Sequence, residues 1–167
     1  LAARWALRGV LGHYLERDPA EIELALGVRG KPALADAVPP LRFNLSHSGE
    51  LALVAVAAER EVGVDVERIK PRRNLLGLAR RALPAAEAAR IEALPDEARL
   101  AAFHAAWTRR EAVAKCFGTG LGAEPSSEPV AVAALDAETG YAAAVAIAGE
   151  AVPEPRYREA RWQTLAP

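Results

Sequence analysis

The stretch that most limits how this chain can fold runs Trp107, Thr108, Arg109, Arg110, Glu111, Ala112, Val113, Ala114, Lys115. Leu100, Phe103, Trp107 and Ala114 fall on one stripe at helical spacing, which predicts a helix with one apolar side. Glu111 sits in the middle of that stripe, and Lys115 lies one turn further along its edge. A carboxylate facing a core is costly unless something pairs with it or coordinates it. The plain alternative is an ordinary i,i+4 Glu–Lys pair at the surface, worth a few tenths of a kcal/mol.

At 167 residues the chain is one domain, or two small halves packed together, and is long enough for a real core. A formal net charge of -1 argues against a nucleic-acid-binding or membrane-surface protein. No apolar run approaches the length of a membrane span. A single cysteine, Cys116, cannot form an internal disulfide and suits a reducing compartment, so a cytoplasmic location is expected. It stands beside Lys115, but no second metal-type residue lies at ligand spacing, and no catalytic role is assigned to it.

Residues 2–16 read as an amphipathic helix with Trp5, Leu7, Val10, Leu11 and Tyr14 on its apolar side. Residues 28–34 are turn chemistry, and Pro39-Pro40 stops anything regular. A short strand over 41–45 is expected to run into a loop, Ser46-His47-Ser48-Gly49. The apolar runs 51–57 and 62–66, separated by a polar turn, read as a hairpin. From 68 to 81 there are six basic residues and no acidic one, in what reads as a loop. Pro84 opens a helix to about residue 94, and Pro95-Asp96 starts the long helix, which Gly118, Gly120 and Gly122 terminate near 117. Strands at 129–135 and 141–148 and a last segment at 157–163 complete the chain. This order indicates an α+β fold, and a loose helix–hairpin echo divides it into halves 1–67 and 68–167.

Gly63-Val64-Asp65-Val66-Glu67 carries the second chemical signal. On a strand Asp65 and Glu67 point the same way, while Val62, Val64 and Val66 fill the other face. Two acids side by side repel unless a cation sits between them, and hard oxygen ligands suit magnesium. A solvated strand face with two incidental acids is the alternative. Gly63 shares the carboxylate face and is expected to leave room there for a ligand. The small hydroxyls of Ser46 and Ser48 could build a phosphate-binding loop, with His47 donating to an anion or simply capping the strand. Lys31, in Gly30-Lys31-Pro32, is either a surface lysine or an anion contact, and His104 is expected to be structural. Phosphate loops of the P-loop and Rossmann types, zinc spacing and a hydrolase triad are all missing from the sequence.

Taken in order, Gly30-Lys31-Pro32, Phe43-Asn44-Leu45-Ser46-His47-Ser48, Gly63-Val64-Asp65-Val66-Glu67, the Trp107–Lys115 run and Gly118-Thr119-Gly120-Leu121 resemble the 4′-phosphopantetheinyl transferases of the Sfp type. The resemblance implies transfer of phosphopantetheine from coenzyme A to a serine of an apo acyl, peptidyl or aryl carrier protein, releasing adenosine 3′,5′-bisphosphate. It implies a pseudo-twofold α+β fold acting as a monomer, with coenzyme A between the two halves. Such enzymes commonly carry a further strand-rich segment ahead of the first helix, which this sequence does not include. The resemblance places Mg²⁺ (or Mn²⁺) on Asp65, Glu67 and Glu111, and gives Lys115 the phosphate charge or the leaving bisphosphate. It gives Lys31, Ser46 and His47 contacts to the coenzyme A phosphates.

Transfer to a serine hydroxyl also needs a proton acceptor, and Glu111 is the candidate, either as that base or as a direct metal ligand. The basic stretch then has a use in docking an acidic carrier, through Arg68, Lys70, Arg72 and Arg73 with Leu75 and Leu76 as the apolar part. The small trimeric holo-carrier-protein synthases are a second candidate, but their aspartate motif lies near the N-terminus, whereas a helix and the Ser46-His47 segment precede Asp65 here. A non-catalytic module binding carrier protein or coenzyme A is a third, against which the joint presence of Asp65, Glu67, Glu111 and Lys115 argues.

Overall fold

The computed structural model describes residues 2–27, 30–35, 40–120 and 127–156. Helix α1 (Ala2–Leu15) precedes a 3₁₀ turn (Pro19–Glu21) and a small antiparallel ribbon of β1 (Leu24–Leu26) and β2 (Pro32–Leu34). Then come β3 (Leu41–Ser48), β4 (Leu51–Ala58) and β5 (Val62–Arg68). Three helices follow, α2 (Leu75–Ala82), α3 (Ala85–Glu92) and α4 (Asp96–Phe117), and β6 (Val130–Leu135) and β7 (Tyr141–Ala148) come last. Helices and antiparallel strands alternate in blocks, which makes the fold α+β. Leu121, Gly122 and the segment expected at 157–163 lie outside the described residues.

The hairpin expected from 51–57 and 62–66 does not form. Polar residues keep β3 in register through Ser48, so its eight residues match the eight of β4, and Gly49 at φ 60 allows the tight turn between them. Strand β5 instead pairs with β7, from Val62 opposite Ile147 to Arg68 opposite Tyr141, and β6 pairs with the other edge of β7. Every backbone ladder partner of β5 therefore comes from the later half, and a boundary at 67/68 cuts through this strand.

Helix α4 lies directly across that sheet. Its Ala112 and Cys116 meet Ala144 and Ala146 of β7, four small residues that let helix and sheet backbones approach closely. At Gly63 the approach leaves no room for a side chain: a Cβ would stand 2.1 Å from Ala112 O and 2.3 Å from the Cys116 nitrogen. The room expected beside Gly63 for a ligand is filled by the helix backbone itself. Gly118, at φ 64, ends α4 as anticipated, its N–H donating to Ala114 O.

Two further cores flank this one. Leu7 and Leu11 of α1 pack with Ile22 and Phe43, backed by Val54 and Val56 of β4, whereas Trp5 and Tyr14, expected on the same apolar side, are exposed. Ala79, Leu83, Ala88, Ile91, Phe103 and Ala106 join α2, α3 and α4, and Leu75, Leu76, Leu78 and Trp107 pack against them. The end of the basic stretch is thus a helix rather than a loop. Asn74 caps it by accepting from the Gly77 N–H at 3.2 Å, and its leucines are drawn to the helical core.

Candidate active site at the seam of β3, β5 and α4

The site begins with a polar alternation on β3. No backbone ladder joins β3 to β5; side chains take its place. Asn44 Oδ1 accepts the Val64 N–H at 2.9 Å, Ser46 Oγ accepts that of Val66 at 3.3 Å, and Ser48 Oγ accepts that of Arg68 at 3.0 Å. Strand alternation puts these three residues on one side and turns His47 to the other, where it is exposed. The Ser46–Ser48 segment, expected as a loop beyond a strand end, is the end of β3 itself.

Each serine also has one proton to give, and each gives it to a carboxylate of β5. Ser46 Oγ donates to Asp65 Oδ1 at 2.9 Å, and Ser48 Oγ donates to Glu67 Oε2 at 3.0 Å. From α4, Lys115 Nζ reaches Asp65 Oδ1 at 2.6 Å and Ser46 Oγ at 3.0 Å. Gly63, Asp65 and Glu67 share the face of β5 that α4 covers, so the close approach at Gly63 is what brings Lys115 over Asp65. The structure therefore gathers Ser46, Asp65, Glu67, Glu111 and Lys115 at one seam.

Burial governs the electrostatics. Asp65 is 3% exposed, and desolvation pushes its pKa above the ordinary carboxylate value despite the Lys115 and Ser46 hydrogen bonds. Glu111 is pushed up as well, first by burial and then by the negative charge of Asp65, with Lys115 acting in the opposite direction. Cys116, fully buried with its Sγ 3.2 Å from Glu61 O, has its thiol raised to about 11, which makes it inert.

Asp65 Oδ2 is buried without a hydrogen-bond partner. An unmatched acceptor beside two further carboxylates, all hard oxygen donors, fits a divalent cation such as Mg²⁺. Among the described residues no three His, Cys, Asp or Glu side chains are gathered at metal-holding distances, and the Lys115 ammonium supplies the counter-charge at Asp65.

Lys31 stands apart from this cluster. Its ammonium donates to Glu61 Oε2 at 2.7 Å, Val62 O at 2.9 Å and Cys116 O at 2.8 Å. Arg68, Lys70, Arg72 and Arg73 are exposed, while Leu75 and Leu76 are half-buried and line, with Asn74, Asp96 and Arg99, an open depression of about 360 Å³. Arg109 pairs with Glu87 at 2.8 Å and ties α4 to α3. His104 is fully buried, its Nδ1 2.9 Å from Leu100 O. Sequence reasoning assigned no role to Asn44 and offered Ser48 only to a phosphate-binding loop, whereas Ser48 holds Arg68 and Glu67 of β5. The period-two recurrence of Asn44, Ser46 and Ser48 is the signal that marks them, once β3 is known to run through Ser48.

Residues 61–157, more than half of the chain, match the family model of the 4′-phosphopantetheinyl transferase superfamily. The chain belongs to this superfamily. The part matching the superfamily model contains Asp65, Glu67, Glu111 and Lys115 and leaves Lys31, Ser46 and His47 outside it. The chain is 41% identical over 122 residues to the 4′-phosphopantetheinyl transferase HetI of Nostoc sp., covering 72% of this chain and 52% of HetI. It is 42% identical over 113 residues to the 4′-phosphopantetheinyl transferase AcpT of Escherichia coli, covering 67% of this chain and 56% of AcpT. A 4′-phosphopantetheinyl transferase of Bacillus subtilis is 32% identical over 104 residues, covering 62% of this chain and 45% of its own. The chain spans about half the length of these superfamily relatives.

Proposed function

We propose that this protein transfers 4′-phosphopantetheine from coenzyme A to a serine hydroxyl of an apo acyl, peptidyl or aryl carrier protein. The observation that carries the proposal is Asp65, a buried carboxylate with one oxygen on Lys115 and Ser46 and the other unmatched, beside Glu67 and Glu111.

In the reaction the carrier serine oxygen forms a bond to the phosphorus on the pantetheine side of the coenzyme A pyrophosphate. The bond from that phosphorus to the bridging oxygen breaks, and the oxygen departs on adenosine 3′,5′-bisphosphate. Glu111 takes the serine proton, a role its raised proton affinity supports. The Lys115 ammonium faces the charge that grows on the leaving oxygen. Asp65 and Glu67, with Glu111 beside them, would hold Mg²⁺ or Mn²⁺, which when bound neutralises the pyrophosphate oxygens. His47, exposed on the outer face of β3, is placed for a coenzyme A phosphate, and Arg68, Lys70, Arg72 and Arg73 offer an acidic carrier an exposed basic surface.

The reading of two related halves has support in the packing. Helix α1 lies on the β3–β4 hairpin, and α4 lies on the β6–β7 pair, with β5 between. Chromatographic detection of adenosine 3′,5′-bisphosphate tests the reaction. Its release should require both coenzyme A and apo carrier and should be lost in Asp65→Asn; release that ignores the carrier, or none at all, contradicts the proposal.

A further inference from the structure

Lys31 lies in the chain well before the rest of the site, yet its ammonium ends at a junction between two later elements. The acceptors are the backbone carbonyls of Val62, the first residue of β5, and of Cys116 in the last turn of α4, with the Glu61 carboxylate as the third. The last four carbonyls of a helix lack intrahelical donors, and a cation there also meets the negative end of the helix dipole. Lys31 therefore satisfies a carbonyl that α4 cannot satisfy by itself, and it does so while holding the start of β5. Its side chain is 14% exposed. Moving the ammonium out to a phosphate would leave Glu61 and two carbonyls without this donor.

The junction lies directly beside the proposed chemistry. Lys115 precedes Cys116 in sequence, Glu111 is one helical turn earlier, and Asp65 is three residues along β5 from Val62. Gly63 already forces the α4 and β5 backbones together, so a small slide of the helix along the strand would move Lys115 off Asp65.

We propose that Lys31 is a positioning residue: it clamps the last turn of α4 to the start of β5 and so holds Lys115 and Glu111 over Asp65. The proposal rests on the transfer reading for the meaning of that site, but the clamp itself can be read without turnover. Cys116, the single cysteine, is buried at the junction, and the chain has only three lysines, of which Lys70 is exposed and serves as an internal reference.

The experiment compares wild type with Lys31→Met and with Glu61→Gln, which weakens the same junction and serves alone if Lys31→Met does not fold. Three quantities are read: the rate of Cys116 modification by a disulfide reagent, acetylation of Lys115 relative to Lys70 by peptide mass spectrometry, and kcat and KM for coenzyme A. The clamp predicts Cys116 modification and Lys115 acetylation each faster by about tenfold, since both follow local opening. It predicts kcat lower by about tenfold with KM for coenzyme A within about twofold of wild type. A raised KM with kcat and both reactivities unchanged would make Lys31 a phosphate contact and overturn the proposal. Faster modification with unchanged kcat would also overturn it, leaving a purely structural link. If wild type transfers nothing, the transfer reading fails separately, and unchanged reactivities at Cys116 and Lys115 would still refute the clamp.

Discussion

Lys115 Nζ donates to Asp65 Oδ1 at 2.6 Å, so the lysine one turn beyond Glu111 neutralises a strand carboxylate 50 residues away in sequence. Glu111 keeps the neighbouring lysine's field without its ion pair. One cation thus leaves two carboxylates of the same seam in different settings, Asp65 inside the ion pair and Glu111 outside it, the division that a general base at Glu111 would use.

Replacing Lys115 with methionine should lower kcat by about 10²-fold, a typical contribution for a charge or proton placed at the reacting atoms. Lys115→Arg should recover part of the loss, because a cation again meets Asp65. Steady-state kinetics on both variants checks this, and equal activity in the methionine and arginine variants would remove the role of the charge.

Glu111→Gln should abolish transfer by at least about 10²-fold. It should leave the fold intact, since an amide replaces a carboxylate whose charged form is disfavoured by burial. Activity near that of wild type would eliminate Glu111 as the base.

The same residue predicts a pH dependence of stability. The folded-state pKa values of Asp65 and Glu111 lie above 3.8 and 4.5, their ordinary values, so each binds its proton more tightly folded than unfolded. The stability such a group contributes is fully present below its unfolded pKa and is lost as pH rises through the folded value. Without metal, Glu111→Gln should therefore melt about 2–4 °C above wild type near neutral pH, and the gap should close as pH falls toward about 4. Calorimetry at several pH values decides it; a gap independent of pH would contradict the electrostatic assignment.

Gly63→Ala should be severe. The new Cβ would fall on the backbone of Ala112 and Cys116, which cannot rotate out of the way, and the cost should be about 3 kcal/mol or more. Denaturant unfolding measures this, and a loss below about 1 kcal/mol would show that α4 stands further from β5 than described.

Charge reversal at Arg72 and Arg73, both exposed, should raise KM for an acidic carrier and leave KM for coenzyme A unchanged. The difference should shrink as ionic strength rises. An equal effect on both substrates would remove the docking role.

Much of this site was legible because its chemistry lies on residues whose spacing is local. Asp65 and Glu67 alternate on one strand, and Glu111 and Lys115 lie one turn apart on one helix, so pattern alone puts each pair on a face. The termini of α4 were legible too, since Pro95 and Gly118 are backbone signals. What pattern could not reach was pairing between distant elements. The apolar run of β4 suits β5 as well as β3, and the choice turns on β3 extending through Ser46, His47 and Ser48, whose polar composition reads as a loop. The use of Gly63 was misread for a related reason: a missing side chain looks the same whether a ligand or a helix backbone fills the gap. Lys31 reads as a surface or phosphate-binding lysine until its three acceptors, two of them carbonyls, are seen in place.

The most direct test of the account is intact-mass spectrometry of an apo carrier protein incubated with this protein, coenzyme A and Mg²⁺, beside an identical sample containing EDTA. The account predicts a gain of one phosphopantetheine, ~340 Da from the group transferred, in the first sample and none in the second. No gain on acyl, peptidyl or aryl carriers, or a gain that survives EDTA and the Asp65→Asn substitution alike, would contradict it.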